Sequence, residues 1–342
     1  MGKIETKTKL RITGKPIFIL GIMPRSGTNF LNNLLLIHPD CEYPGIVWED
    51  YYLAGADLLK DYSERVYNRW NPGWKEQVET MVGPNPLLKL FGDSLISYME
   101  LQYAQRKNLS ADDHSFMVNE DHKKRLVSAT PSVENLHLFF DLFPDARLII
   151  IVRDGRAVVE SGIKTFGWDY EEAMRRWSNN ARVILDCIKM NPGENKMLVV
   201  RYEDLYIDLK KEMEKILHFL NLPVDQYDFH RAQNLGVMGS SQIRNKENKT
   251  DWVSREKTKD FNPLKRYAHW SRALHERFNW LSGSSLKELG YTAQYGNESN
   301  YLWNLQNQII DILYALEIKS KPSLLSTSKL LRKLRYFLLD LK

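Results

Sequence analysis

Residues Gly21-Ile22-Met23-Pro24-Arg25-Ser26-Gly27-Thr28 join a short apolar run to a stretch with helical spacing. Main-chain N–H groups and the dipole of the following helix converge at such a junction and suit it to a phosphate. The loop nearly matches the triphosphate pattern G-x-x-x-x-G-K-[ST], but Ser26 stands in place of the second glycine and Gly27 in place of the lysine. Arg25 is the nearest replacement cation, and its planar fork can grip two anionic oxygens at once. A second apolar run ends in Arg153-Asp154-Gly155-Arg156 and a third in Arg201-Tyr202-Glu203-Asp204-Leu205. Two strand-to-helix junctions with an arginine at each can hold two anionic groups. The cluster Trp48-Glu49-Asp50-Tyr51-Tyr52 supplies carboxylates within reach of the first loop, with Glu42 a little earlier.

These residues need a scaffold that presents strand ends. Ile17-Phe18-Ile19-Leu20, Arg147 to Val152 and Lys196 to Val200 read as buried strands, since continuous apolar runs are typical of parallel sheets covered on both faces. Helices are expected from Thr28 to about His38-Pro39, from Ala157 to about Lys164 and from Leu209 to Leu220. The alternation predicts an α/β fold: a doubly wound parallel sheet of phosphate-loop type flanked by helices, with its ligand beyond the carboxyl ends of the strands. Residues from about 48 to 110 read as a helical, aromatic-rich insertion, Gly236 to Arg266 as a long polar loop, and the tail from Pro322 as a basic amphipathic helix. The expected organisation is a leader over 1–15, one domain over 16–295 carrying the insertion, and a helical extension over 296–342.

The 342 residues carry 48 Lys and Arg against 43 Asp and Glu, an excess of +5 that suits an anionic ligand but not the concentrated basic face of a nucleic-acid binder. Cys41 and Cys187 cannot supply a four-ligand zinc site or a disulfide framework. The eight histidines show no metal-binding spacing, and His38 and His122 read as cap or surface residues. The apolar run near the start falls short of the ~20 residues that cross a bilayer, so the sequence alone gives a cytoplasmic expectation. For the basic tail, packing on the domain or on a second subunit is favoured over a membrane surface, and a homodimer is compatible with it.

Pro24-Arg25-Ser26-Gly27-Thr28, a helix and then His38-Pro39-Asp40 resemble the 5′-phosphosulfate loop of sulfotransferases that use 3′-phosphoadenosine 5′-phosphosulfate (PAPS). Phe143-Pro144-Asp145-Ala146-Arg147, followed by Ile151 to Arg156, resembles the same family's 3′-phosphate motif. There an arginine and a serine eight residues on, here Arg153 and Ser161, bind the extra phosphate. The segment around Tyr202 is similar to one whose tyrosine lies near the nucleotide, and the likeness runs in scattered blocks from Ile17 to Tyr291. Within the superfamily it is nearest to the Golgi-type branch of tyrosylprotein and carbohydrate sulfotransferases.

The resemblance implies PAPS as co-substrate, 3′-phosphoadenosine 5′-phosphate (PAP) as product and no metal. The acceptor would be a small-molecule, carbohydrate or peptide hydroxyl, less readily an amine. Arg25 and Ser26, Gly27, Thr28, Asn29 and Phe30 would hold the 5′ side, and Arg153, Ser161, Tyr202, Ser240 and Ser241 the rest of the donor. Glu49 would act as base with Asp50 in reserve, and Arg25 would stabilise the leaving group. Many relatives carry a lysine before the 3′-phosphate strand. Ser128-Ala129-Thr130-Pro131 lacks it, which leaves Lys123 or Lys124 as substitutes, or Arg25 acting unaided. Two alternatives stand beside this reading: a phosphate-loop kinase or NTPase with Mg²⁺ at Asp154, and a non-catalytic binder of the same nucleotide.

Overall fold

The computed structural model describes residues 13–45, 47–108, 124–191, 195–240, 253–257, 259, 261–296, 301–320 and 325–340. Its centre is a five-stranded, all-parallel sheet: β1 (Ile17–Gly21), β2 (Cys41–Glu42), β3 (Arg125–Thr130), β4 (Arg147–Val152) and β5 (Met197–Arg201). The spatial order is β2-β3-β1-β4-β5, so β1 lies in the middle with β3 and β4 on either side. Registers Leu20 to Thr130, Gly21 to Ile151 and Val152 to Arg201 bring the carboxyl ends of four strands to one edge. Side chains Ile17 to Leu20 and Leu148 to Val152 are buried, as a sheet covered on both faces requires.

Helix α1 (Thr28–Leu35) follows β1 directly and buries Leu31, Leu34 and Leu35. It stops short of His38, which is buried and no surface residue as the sequence allowed. The His38 ring accepts from the Asp40 N–H at Nδ1, and its Nε2 lies 2.9 Å from the Pro223 carbonyl. The insertion is helical as expected: α2 (Ala56–Tyr67), α3 (Pro72–Val82) and α4 (Pro86–Arg106). Short α5 (Phe139–Leu142) precedes β4. After α6 (Gly155–Phe166) and α7 (Tyr170–Met190), α8 (Tyr202–Ile207) starts immediately beyond β5, α9 occupies Leu209–Leu220 and short α10 Phe229–Gln233. Within the polar stretch Gly236 to Arg266, the described residues form neither helix nor strand beyond one bridge, Val237 to Arg255.

Two compact units divide the chain, Met1–Arg153 with Asp186–Thr258 and Asp154–Leu185 with Lys259–Lys342. The first contains the sheet. In the second, buried ion pairs hold helices together. Arg277 of α11 (Arg272–Glu288) donates to Glu171 at 2.5 and 2.9 Å and to Asp311 at 2.6 Å, while Arg335 donates to Asp169 and Glu317 at 3.1 Å. Arg335 and Arg332, two of the basic residues of the tail, are therefore paired inside this unit, while Lys329 and Lys333 are exposed. The two arginines tie α13 (Leu325–Leu338) to Asp169 and to Glu317 of α12 (Tyr301–Ser320). Packing on the domain is the arrangement that this part of the tail adopts.

Candidate functional site

The loop after β1 turns back sharply. A side chain at Gly21 would lie 2.3 Å from Thr28 Oγ1, 2.5 Å from Ser26 Oγ and 3.3 Å from Pro131 Cα, so the end of β1, the loop and the end of β3 are in contact. Arg25 (φ 79°) and Gly27 (φ 103°) both have left-handed backbone around buried Ser26. For arginine this conformation is uncommon and costs energy, and such strain gathers at ligand clamps. At Gly27 the conformation and the space agree: a Cβ would lie 2.4 Å from the Tyr202 ring. Gly27 is also the N-cap of α1, which has no side-chain cap and no acidic residue in its first turn. That leaves the helix N-terminus directed at the loop and suited to an anion.

Arg153, at the end of β4, closes the other side. Its Nη1 donates to the Arg25 carbonyl at 2.9 Å, and its guanidinium sits 4.3 Å from the Tyr202 ring centroid, within cation–π range. Phe30 meets the same ring edge-on at 5.8 Å, and Arg25 Nη2 donates to the Gly239 carbonyl. Burial, and then the charge of Arg153, push the Arg25 guanidinium down to about 10. The Arg25 cation is thus held beside Arg153 in a setting that disfavours its charge, and an anion between the two would relieve that repulsion.

Of the residues singled out from the sequence, Arg25, Ser26, Gly27, Thr28, Phe30, Arg153 and Tyr202 gather around this loop, with half-buried Asn29 on the first turn of α1. Ser240 is buried next to the Gly239 carbonyl that holds Arg25. Ser241 and Lys123 lie outside the described residues. Ser161 belongs to α6 in the second unit and is buried there, which excludes a plain helix-surface serine. Asp154, in the same unit, accepts from Arg156 at 2.6 and 2.9 Å and from the Tyr267 hydroxyl at 3.0 Å. These bonds occupy the carboxylate that the kinase alternative would give to Mg²⁺. No group of three or more metal-ligating side chains occurs among the described residues.

The carboxylates after α1 are sorted by their partners. Glu42 is paired with Arg106 at 2.9 Å and Lys107 at 3.0 Å, which makes it structural. Glu49 accepts from the Tyr51 hydroxyl at 3.0 Å in an exposed setting. Asp50 is held at the end of β3: Thr130 donates to its Oδ1 at 2.8 Å and Ser128 to its Oδ2, while the Tyr51 N–H bonds Thr130 Oγ1 at 3.2 Å. Burial raises the Asp50 carboxyl above the ordinary range, and the two hydroxyls with the Tyr52 N–H offset only part of that. Beside it lies a small pocket with room for about one water molecule. Phe18, Leu20, Tyr52, Leu53 and Phe139 line it, with Asp50, Thr130 and Glu134 among its polar groups.

The sequence alone does not place Ser128 and Thr130 in the site, because their polarity interrupts the apolar run that would mark β3 as a strand. Their signal was present nevertheless, as two hydroxyls at i and i+2 on one face immediately before Pro131. Gly239 gave no signal beyond its neighbours. Lys124, offered as a substitute for the missing lysine, stands before the first residue of β3 and donates to the Pro39 carbonyl at 2.6 Å. That is the amino end of the sheet, opposite the loop, so Lys124 does not serve the site.

The sulfotransferase family model matches residues 16–226, which contain the loop, Asp50, Arg153 and Tyr202. The chain is 24% identical over 229 residues to protein-tyrosine sulfotransferase A of Caenorhabditis elegans, covering 65% of this chain and 54% of that protein. To protein-tyrosine sulfotransferase 1 of Danio rerio it is 25% identical over 249 residues, covering 70% and 62%. It thus spans between half and two thirds of the length of these relatives. Among solved structures, mouse sulfotransferase SULT7A1 complexed with PAP is similar at 12% identity and a TM-score of 0.38, over 80% of this chain and 84% of that one. No helix among the described residues is long and apolar enough to cross a membrane. The protein-tyrosine sulfotransferase relatives are consistent with the Golgi-type branch, and the cytoplasmic expectation finds no support in them. With more than half of its length under one family model, the chain belongs to the sulfotransferase family.

Proposed function

We propose that this chain transfers a sulfuryl group from PAPS to a hydroxyl, and that the hydroxyl is the phenol of a tyrosine in a protein or peptide. The observation that carries the reading is the pair of cations at the strained loop: Arg25 held down to about 10 beside Arg153, over an uncapped helix N-terminus. A donor with phosphate groups at both ends of its ribose suits that field. Arg25 and the N–H groups of residues 26–29 would take the 5′ side, where charge builds on the leaving phosphate as the S–O bond breaks. Arg153 would take the 3′-phosphate, joined on motif spacing by Ser161, with Tyr202 beneath the guanidinium. The names of the relatives support a tyrosine acceptor.

For the base, the geometry favours Asp50 over Glu49. Asp50 is fixed by two hydroxyls at the strand end in contact with the loop, and its raised carboxyl can accept a proton nearer neutral pH. Transfer then proceeds by in-line attack: the phenol oxygen bonds to sulfur as its proton passes to Asp50 and the S–O bond to the 5′-phosphate breaks, releasing PAP. The test is transfer of labelled sulfate from PAPS to a tyrosine-containing acidic peptide and to its Phe counterpart. Label on the Tyr peptide alone is expected. Binding of PAP without transfer to any hydroxyl would assign the chain to the non-catalytic alternative.

A further inference from the structure

The two hydroxyls that hold Asp50 are not equivalent. Thr130 Oγ1 donates to Asp50 Oδ1 at 2.8 Å and accepts from the Tyr51 N–H at 3.2 Å. A hydroxyl carries one proton, so with the amide on its lone pair Thr130 can only donate to the carboxylate. The amide is presented by a left-handed turn: Tyr51 has φ 52°, an outlier for so bulky a side chain. Its carbonyl accepts from the Ala54 N–H at 2.9 Å and its hydroxyl donates to Glu49 at 3.0 Å, and these bonds hold the strained backbone in place. Ser128 is under no such constraint. Its hydroxyl donates to Asp50 Oδ2, and no donor among the described residues is bonded to its Oγ, so it can turn and accept instead.

We propose that Thr130 and the strained turn at Tyr51 are positioning elements that keep Oδ1 of Asp50 a permanent hydrogen-bond acceptor, so that the proton of the substrate hydroxyl settles on Oδ2. This rests on the reading of Asp50 as the base. A protonated carboxyl has one oxygen that donates and one that only accepts. Oδ1 faces a donor that cannot reverse and takes the accepting role. Oδ2 faces a hydroxyl that can reverse and takes the proton. In transfer the substrate O–H bond breaks, its proton bonds to Oδ2, and Ser128 rotates about Cβ–Oγ to accept from the new O–H; loss of that proton to water turns Ser128 back. The titratable groups around Asp50 are few. Tyr43 and Tyr52 on its own segment are held above the ordinary phenol value by burial and by the Asp50 charge, Tyr43 pushed up to about 12, so both stay neutral. From α4, Tyr98 acts on Tyr52; Glu49 is bonded to Tyr51, and Glu134 is exposed across the small pocket. β1 and α5 bring only Phe18, Leu20 and Phe139 to that pocket.

An NMR titration of the whole chain with isotope-labelled aspartate carboxyls tests this, the Asp50 signal being assigned by its loss in Asp50→Asn. Thr130→Val removes a bond that only the carboxylate form uses. The Asp50 midpoint should rise by roughly one to two pH units, the scale of a hydrogen bond to a charged group, and the acidic limb of sulfate transfer should move up with it. Thr130→Ser keeps the hydroxyl and should return both to the wild-type pH, which a role in packing alone would not produce. Ser128→Ala deprives both protonation states of a partner and should move the midpoint by less than Thr130→Val does. An unmoved midpoint in Thr130→Val, no recovery in Thr130→Ser, or a shift in Ser128→Ala as large as that in Thr130→Val overturns the proposal while leaving Asp50 as the base. An acidic limb of transfer that persists in Asp50→Asn removes Asp50 as the base, and the proposal with it, whatever the midpoints do.

Discussion

The charged groups of the two units are satisfied in opposite ways. In the second unit Arg277 and Arg335 sit among carboxylates. Burial works against their charge, but Glu171 and Asp311 for the one, and Asp169 and Glu317 for the other, more than compensate, so both are pushed up. In the first unit, at the phosphate loop, Arg25 is held by a carbonyl and pushed down to about 10 by burial and Arg153, while Asp50 leans on neutral hydroxyls and is pushed up. The first arrangement is complete within the protein and serves stability. The second keeps Arg25 and Asp50 in an environment that disfavours their charge, which is the signature of groups poised for a ligand.

The sharpest way to break this contrast is Asp50→Asn. Turnover should fall by about 10²–10⁴, the range for loss of a general base, measured by labelled sulfate transfer. The melting temperature at neutral pH should stay level or rise. The sign follows from the raised carboxyl: its contribution to stability is fully present below the ordinary aspartate value and is lost as pH rises through the folded value. Arg277→Met should do the reverse. It leaves Glu171 buried without its main partner and should cost about 3–5 kcal/mol in denaturant unfolding.

Arg153→Met is expected to weaken PAP binding by roughly 30- to 100-fold, the scale of a lost charge-assisted phosphate contact, with little change in melting temperature. A loss of stability as large as that of Arg277→Met would place Arg153 with the structural arginines. A pH profile sharpens the role of Asp50: the acidic limb of turnover should fall at a pH above the ordinary carboxylate range of about 4, while Glu49→Gln leaves that limb in place. The smallest effect is expected for Lys124→Ala, whose turnover should match wild type, since its ammonium is bonded to Pro39 at the far end of the sheet.

The strands β1, β4 and β5 were legible because each is a continuous apolar run, and α9 was legible to the residue from its apolar spacing. In β1 and β4 that run is the imprint of burial on both faces, whereas β5, expected as a buried strand, lies at the sheet edge and buries only Val200. β3 was not, because Ser128 and Thr130 interrupt its apolar pattern for the sake of Asp50. The same interruption explains the choice between carboxylates. Glu49 and Asp50 are equivalent as neighbours in a string, and only the partners brought up by β3 distinguish them. Likewise the basic tail read as a charged face, because its carboxylate partners Asp169 and Glu317 lie 166 and 18 residues away from Arg335.

The central claim is that Arg25 and Arg153 form one site for a bisphosphorylated adenosine. Titration calorimetry with PAP, ADP and Mg·ATP against the wild type and Arg153→Met tests it most directly. PAP should bind the wild type at least about tenfold more tightly than either other nucleotide, a difference of ~1.4 kcal/mol, and lose that preference in the variant. Preference for Mg·ATP, or unchanged PAP affinity in Arg153→Met, would contradict it.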